Sequence, residues 1–216
     1  MNRLFRSSLR FLAFVGLVLS AACLPAATLW NESSSGDLSD NQAAPNAFVL
    51  SLGANSIIGT VGGANTKDFI ALTVPAGDKL TSITLAAYSS TDAQGFTGVQ
   101  AGSNFVGNPE TASPYLGYTH FGIGATNGAL PPTNLIGTDI LPLMGDLTLA
   151  AGSTGFTPPL GAGTYTFLIQ QLGANTSYQF DYNVTAVPEP ATLSLLALGV
   201  LGLAPLAYRS SRKRAS

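Results

Sequence analysis

Charge is sparse in this sequence, and thiols and imidazoles are sparser. Of 216 residues 9% are charged, one is cysteine (Cys23) and one is histidine (His120). The usual zinc ligand sets draw on several nitrogen or sulfur donors, so one of each excludes them. With Cys23 inside an N-terminal leader, a processed chain forms no internal disulfide and offers no thiol for catalysis. Basic residues are almost missing from the middle. Arg3, Arg6 and Arg10 stand at one end and Arg209, Arg212, Lys213 and Arg214 at the other, leaving only Lys67 and Lys79 between them. From Thr28 to Ala186 ten acids face those two lysines, a net charge of −8. Nucleic acid is therefore not an expected partner, because displacing counterions from phosphate takes basic residues. Cations are compatible with that balance.

Both ends carry targeting patterns. Arg3, Arg6 and Arg10 precede an uncharged apolar run from Phe11 to Leu19, followed by the small residues Ser20, Ala21, Ala22, Ala26 and Ala27. This is the order of a secretory signal peptide. The run is too short to cross a bilayer, which takes about 20 apolar residues. Residues 1–27 are thus expected to be a leader, with cleavage after Ala22 and after Ala26 both open. Leu19-Ser20-Ala21-Ala22-Cys23 is also similar to a lipoprotein box, although Ser20 stands where that pattern takes an aliphatic residue.

At the other end, residues 191–208 contain no formal charge and are mostly Leu, Ala and Gly, and Arg209, Arg212, Lys213 and Arg214 follow. Leu193, Leu195, Leu196, Leu198, Val200, Leu201, Leu203 and Leu206 leave no polar stripe on any helical face, which suits lipid better than a protein surface. A single transmembrane helix over about 191–208 with a cytoplasmic basic stop is expected. Its orientation agrees with a leader that sends the body outward.

Val187-Pro188-Glu189-Pro190-Ala191-Thr192, the Leu-Ala-Leu-Gly run and the terminal arginine cluster together resemble the PEP-CTERM sorting signal of Gram-negative bacteria, over residues 187–216. The resemblance implies recognition by exosortase, a membrane-embedded cysteine protease-transpeptidase, with Pro188, Glu189 and Pro190 as the recognised motif. It further implies an exported precursor held transiently in the inner membrane, then placed at the cell surface or in an extracellular matrix of polysaccharide and biofilm. The two prolines fix φ near −65° and restrict the residues before them, which presents Glu189 on extended chain. The same tail is sometimes named after an ice-binding protein, but Thr164-Tyr165-Thr166 is a single T-x-T and no repeating array.

Between the signals the chain reads as all-β, with Gly, Pro and Asn turns at short intervals, and a jelly-roll-like β-sandwich over 28–186 is expected. Tyr178, Phe180, Tyr182 and Val184 alternate with Gln179, Asp181 and Asn183 as in a half-buried strand. Thr164 to Gln170 reads as another, and Leu172-Gly173-Ala174-Asn175 is expected to join the two as a terminal hairpin. Phe48–Leu52, Ile57–Val61, Asp68–Val74 and Leu80–Ala87 read as further strands. Asp68, the Val74-Pro75-Ala76-Gly77 turn and the Gly163-Thr164-Tyr165 strand entry resemble the small bacterial pre-peptidase C-terminal β-sandwich, a jelly-roll appended to secreted proteins. Gly95 to Pro159, rich in Gly and Pro, reads as either an elaborated loop region or extra strands.

Chemistry is thin. His120 has no G-x-S-x-G elbow to serve, and a triad would need a Ser and a carboxylate brought to it from elsewhere. Asp37, Asp40, Asn41 and Asp68 offer oxygen donors of the kind calcium takes, and calcium is the one metal left open. The acids of the body stand singly among turn residues, without the paired spacing of a glycosidase. Trp30, Tyr88, Tyr115 and Tyr118 are the aromatics available to stack on sugar rings. The sequence therefore points to a non-catalytic exported protein with no cofactor, sorted by exosortase. A carbohydrate-binding or calcium-dependent adhesion module and a secreted hydrolase with an unrecognised site stay open as alternatives.

Overall fold

The structure, a computed structural model, describes residues 26–187. Residues 1–25 of the expected leader 1–27, the Pro188-Glu189-Pro190 motif, the expected span at about 191–208 and the basic stop lie outside the described residues. Among the described residues no helix is long and apolar enough to cross a membrane.

Two sheets make the body. The first holds β1 (Ala27–Asn31), β3 (Gly53–Val61), β9 (Thr176–Ala186) and β5 (Asp78–Ser89), in the order β1-β3-β9-β5. The second holds β2 (Asn46–Val49), β4 (Lys67–Val74), β8 (Gly163–Gln170), β6 (Gln94–Ala101) and β7 (Gly117–Gly122), in the order β2-β4-β8-β6-β7. The edge pairs β1–β3 and β2–β4 are parallel and the others antiparallel. Two short helices, α1 (Glu32–Ser35) and α2 (Leu141–Gly145), interrupt the connections.

The main core lies between the sheets. Tyr178, Phe180, Tyr182 and Val184 of β9 point inward, as their alternation requires, and meet Phe121, Phe167 and Ile169 of the second sheet. Rings pack edge-on across the gap, with Phe121 and Phe180 centroids 5.0 Å apart and Phe167 and Tyr182 5.5 Å apart.

This packing overturns the expected terminal hairpin. Strand β8 pairs with β4 and β6, whereas β9 pairs with β3 and β5, so residues 171–175 cross from one sheet to the other. Apolar inward faces are buried against the facing sheet in either arrangement; here the 171–175 connection carries β9 into the facing sheet, where it opposes β8 across the core. The Pro75–Gly77 turn between β4 and β5 changes sheet in the same way.

Residues 95–159 contain both things their composition suggests. Strands β6 and β7 pair in register from Gln94↔Gly122 to Val99↔Gly117, and the 102–116 connection folds back over the outer face of the second sheet. There Phe105 and Tyr115 join Phe69 and Leu168 in a second apolar cluster, flanked by Phe96 and Tyr118.

The register also fixes where the chain enters and leaves. Ala27 pairs with Asn55, Gly53 with Val184, and Asp78 with Ala186, while the Val187 N–H donates to the Gly77 carbonyl at 2.7 Å. Ala27 and Val187 therefore lie at one end of the first sheet. Val61, Ser89 and the 171–175 crossing lie at the other.

Candidate functional site

Two groupings of polar side chains with chemistry to offer lie towards that far end. The first is a cavity of about 410 Å³ between the outer face of the second sheet and the 109–115 wall. Residues of one parity point outward here: Phe96 stands opposite His120 and Gly98 opposite Tyr118, with Gln170 beside Phe96 on β8. Gly98 has a specific task, since a Cβ there would come within 2.3 Å of the Tyr115 ring. Its bare backbone lets that ring lie against the sheet. Tyr115 is buried and donates its hydroxyl to the Pro109 carbonyl at 2.7 Å, which fixes the wall. The Gln100 amide clamps the same loop, donating to the Val106 and Pro114 carbonyls and accepting from the Val106 N–H.

Phe96 and Tyr118 form the apolar floor, with ring centroids 5.6 Å apart and planes 34° from parallel. The His120 ring stands edge-on to Phe96 at 5.7 Å, and burial lowers its pKa, so the imidazole is neutral at neutral pH. Glu110 supplies the carboxylate. Its Oε1 accepts from Lys67 Nζ at 2.5 Å and from Gln170 Nε2 at 3.3 Å, while Oε2 takes no hydrogen bond among the described residues. The Lys67 hydrogen bond holds the Glu110 pKa below the ordinary carboxylate value.

The second grouping is acidic. Ligand oxygens of Glu32, Asp37 and Asp68 lie within 4.8 Å of one another. Asp68 is fully buried, accepts from the Tyr178 hydroxyl at 2.6 Å and from Asn65 Nδ2 at 3.2 Å, and burial raises its pKa to about 7. Gly59 makes the Tyr178 contact possible, because a Cβ there would fall 2.4 Å from that hydroxyl. Asn65 Nδ2 also donates to Asp37 at 2.9 Å, and its Oδ1 is buried without a partner among the described residues. Glu32 is held by the Leu38 N–H and by the N–H and hydroxyl of Thr60. Three carboxylates and an amide oxygen are hard donors of the kind calcium accepts.

Of the residues singled out in the sequence, Asp37 and Asp68 come together, while Asp40 and Asn41 stand apart and exposed. Asn41 instead accepts from the Ala43 N–H in its own turn. Tyr115, Tyr118 and His120 line the cavity. Tyr88 is in the main core, edge-on to Phe121 with its hydroxyl on the Asp92 carbonyl, and Trp30 packs on Phe48 and donates to the Gly36 carbonyl. Asn127 brackets the backbone N–H and carbonyl of His120. Sequence reasoning missed Glu32, Asn65, Phe96, Glu110 and Gln170. Nothing local marks them, since strand register or a folded-back loop brings each to its place.

Comparison with known proteins bears on the tail more than on the body. No curated protein matches the sequence. Among solved structures, the pre-peptidase C-terminal domain of a collagenase from Bacillus anthracis resembles the body weakly. It is 11% identical, with a TM-score of 0.35 over 68% of this chain and 100% of that one. Residues 186–213 match the family described as the PEP-CTERM protein-sorting motif. That stretch begins on the last residue of β9 and takes in Pro188, Glu189 and Pro190, so the chain carries the sorting motif of an exported protein processed by exosortase.

Proposed function

We propose that this protein is a non-catalytic component of the cell surface or extracellular polysaccharide matrix, anchored by its tail in the inner membrane and then released from that anchor by exosortase. The PEP-CTERM match over residues 186–213 carries the reading. Strand β9 ends at Ala186 and Val187 is tied to Gly77, so the folded body reaches to within one residue of Pro188. Mass spectrometry of the protein recovered from outside the cells is expected to find a mature C-terminus between Pro188 and Thr192. An intact Ser216 on that material overturns the reading.

A second reading, calcium-dependent adhesion, is favoured by the Glu32, Asp37 and Asp68 cluster and the unpartnered Asn65 oxygen beside it. A cation there would replace proton and hydrogen-bond compensation of Asp68 with direct charge neutralisation. Millimolar calcium is then expected to raise the unfolding temperature of the wild-type protein and leave Asp37→Asn unmoved. An equal response of the two, or none, removes the reading.

A further inference from the structure

We infer that the cavity bounded by Phe96, Tyr118 and Glu110 binds one neutral pyranose unit of a polysaccharide. The inference rests on the body being an exported, non-catalytic surface domain and names what that domain holds. At about 410 Å³ the cavity falls within the roughly 300–1,000 Å³ of small-molecule sites. Its floor and its walls differ in chemistry. Phe96 and Tyr118 offer ring faces on which the C–H face of a sugar can lie, while the Glu110 carboxylate and the Gln170 amide border the space where hydroxyls would project. The free Oε2 of Glu110 accepts from a hydroxyl, and charged acceptors make the stronger hydrogen bonds.

Charge selects against other small ligands. Among the described residues no Lys or Arg lines the cavity, and Lys67 behind Glu110 is committed to that carboxylate, so a uronate, sulfate or phosphate finds no cation. The same pairing compensates the Glu110 carboxylate, which weakens the case for a cationic ligand on the aromatic floor. Hydrolysis of a bound sugar would need two carboxylates facing each other, and among the described residues Glu110 is the one acid on the lining. The site binds and does not cut.

The wall is built before any ligand arrives. Gly98 admits the Tyr115 ring, Tyr115 holds Pro109, and Gln100 holds Val106 and Pro114. A preformed wall spares the ligand the cost of ordering a loop. Position agrees as well. Gln170 closes β8, whose other end, Gly163, pairs with Val74 beside the Pro75–Gly77 turn. The cavity therefore lies at the end of the second sheet away from the Pro75–Gly77 turn and Val187, where an extracellular polymer can reach it.

The test uses full-length protein in a non-glycosidic detergent, with saturation-transfer NMR and calorimetry on a panel of neutral tetraoses built from glucose, galactose, mannose and N-acetylglucosamine. At least one is expected to show saturable binding with its ring protons in contact. Tyr118→Ala should then weaken binding by roughly tenfold and Glu110→Gln by several fold. Glu110→Gln lies on an exposed loop and keeps a folded control should Tyr118→Ala unfold. No saturable binding by any panel member up to millimolar concentrations overturns the inference, as does preferential binding of oligogalacturonate or choline. Binding that ignores both variants overturns it too. None of these results touches the sorting assignment, which stands or falls on the mature C-terminus.

Discussion

At the scale of single residues, Asp68 sets a pH dependence whose sign can be worked out. Its carboxyl, at 0% exposure, titrates near 7 in the folded protein because burial disfavours the anion, against about 3.9 in an unfolded chain. Between those values the native state binds more protons, so this group's contribution is fully present below the unfolded pKa and is lost as pH rises through the folded one. The loss is at most about 4 kcal/mol at 1.36 kcal/mol per unit. In chelator-treated protein, urea unfolding should therefore show the wild type losing ground to Asp68→Asn from pH 4 to pH 8. A difference between the two that does not change with pH would refute the protonated native carboxyl. The glycines make a second prediction. Gly98→Ala would drive a Cβ into the Tyr115 ring, so an overpacking cost of about 1–3 kcal/mol is expected in thermal or urea unfolding. Gly77→Ala meets no neighbour but must hold a φ of 86°, so its cost is conformational and smaller, about 1 kcal/mol.

At the scale of elements, strand β9 was legible and strand β6 was not. The alternation Tyr178, Phe180, Tyr182, Val184 follows directly from one dry face and one wet face. In β6 the glycines Gly95 and Gly98 left loop and strand both open, yet each is a gap that a ring occupies. The Phe121 ring lies 2.7 Å from where a Gly95 Cβ would be, on the inner face, and Tyr115 takes the equivalent space at Gly98 on the outer face. A sequence does not announce a ring arriving from a distant segment. The hairpin expectation for β8 and β9 failed for a related reason: a short connection restricts distance but does not say whether the next strand joins the same sheet or the facing one. Phe180→Ala tests the facing arrangement. Phe180 packs against Phe121 of the other sheet, so truncation should cost about 3–5 kcal/mol in urea unfolding, as a surface-facing ring would not.

At the scale of the whole molecule, both chain ends leave the body on one side, and the cavity and acidic cluster lie towards the other. Eleven residues of β9 at about 3.3 Å each put roughly 35 Å between the two ends of the first sheet. While the tail is in the bilayer, the Pro75–Gly77 turn is thus expected near the lipid and the 171–175 crossing far from it. Full-length protein lacking Cys23 and labelled at Ala76→Cys should be quenched by a lipid-borne quencher in vesicles. The same label at Leu172→Cys, a position 68% exposed, should not be. Equal quenching at both positions would show that the body lies flat on the membrane.

The sequence by itself determined the address and the building material. The sorting motif is legible as local order, Pro-Glu-Pro then apolar then basic, and the order basic, apolar, small at the other end gives the expectation of a leader in the same way. Strand-forming segments were legible for a similar reason, since period-two alternation is local. What only the tertiary structure decided is pairing and proximity. Asp37 and Asp68 were visible as oxygen donors, but Glu32 and Asn65 join them through the β1–β3 register and the turn before β4. Tyr118 was visible as an aromatic, but its floor partner Phe96 and the Glu110 wall reach it through strand register and a loop folded over the sheet. The contacts of Glu32 with Asp68, Phe96 with Tyr118 and Glu110 with Gln170 span tens of residues, and burial of the body's apolar surface, rather than any local pattern, selects them.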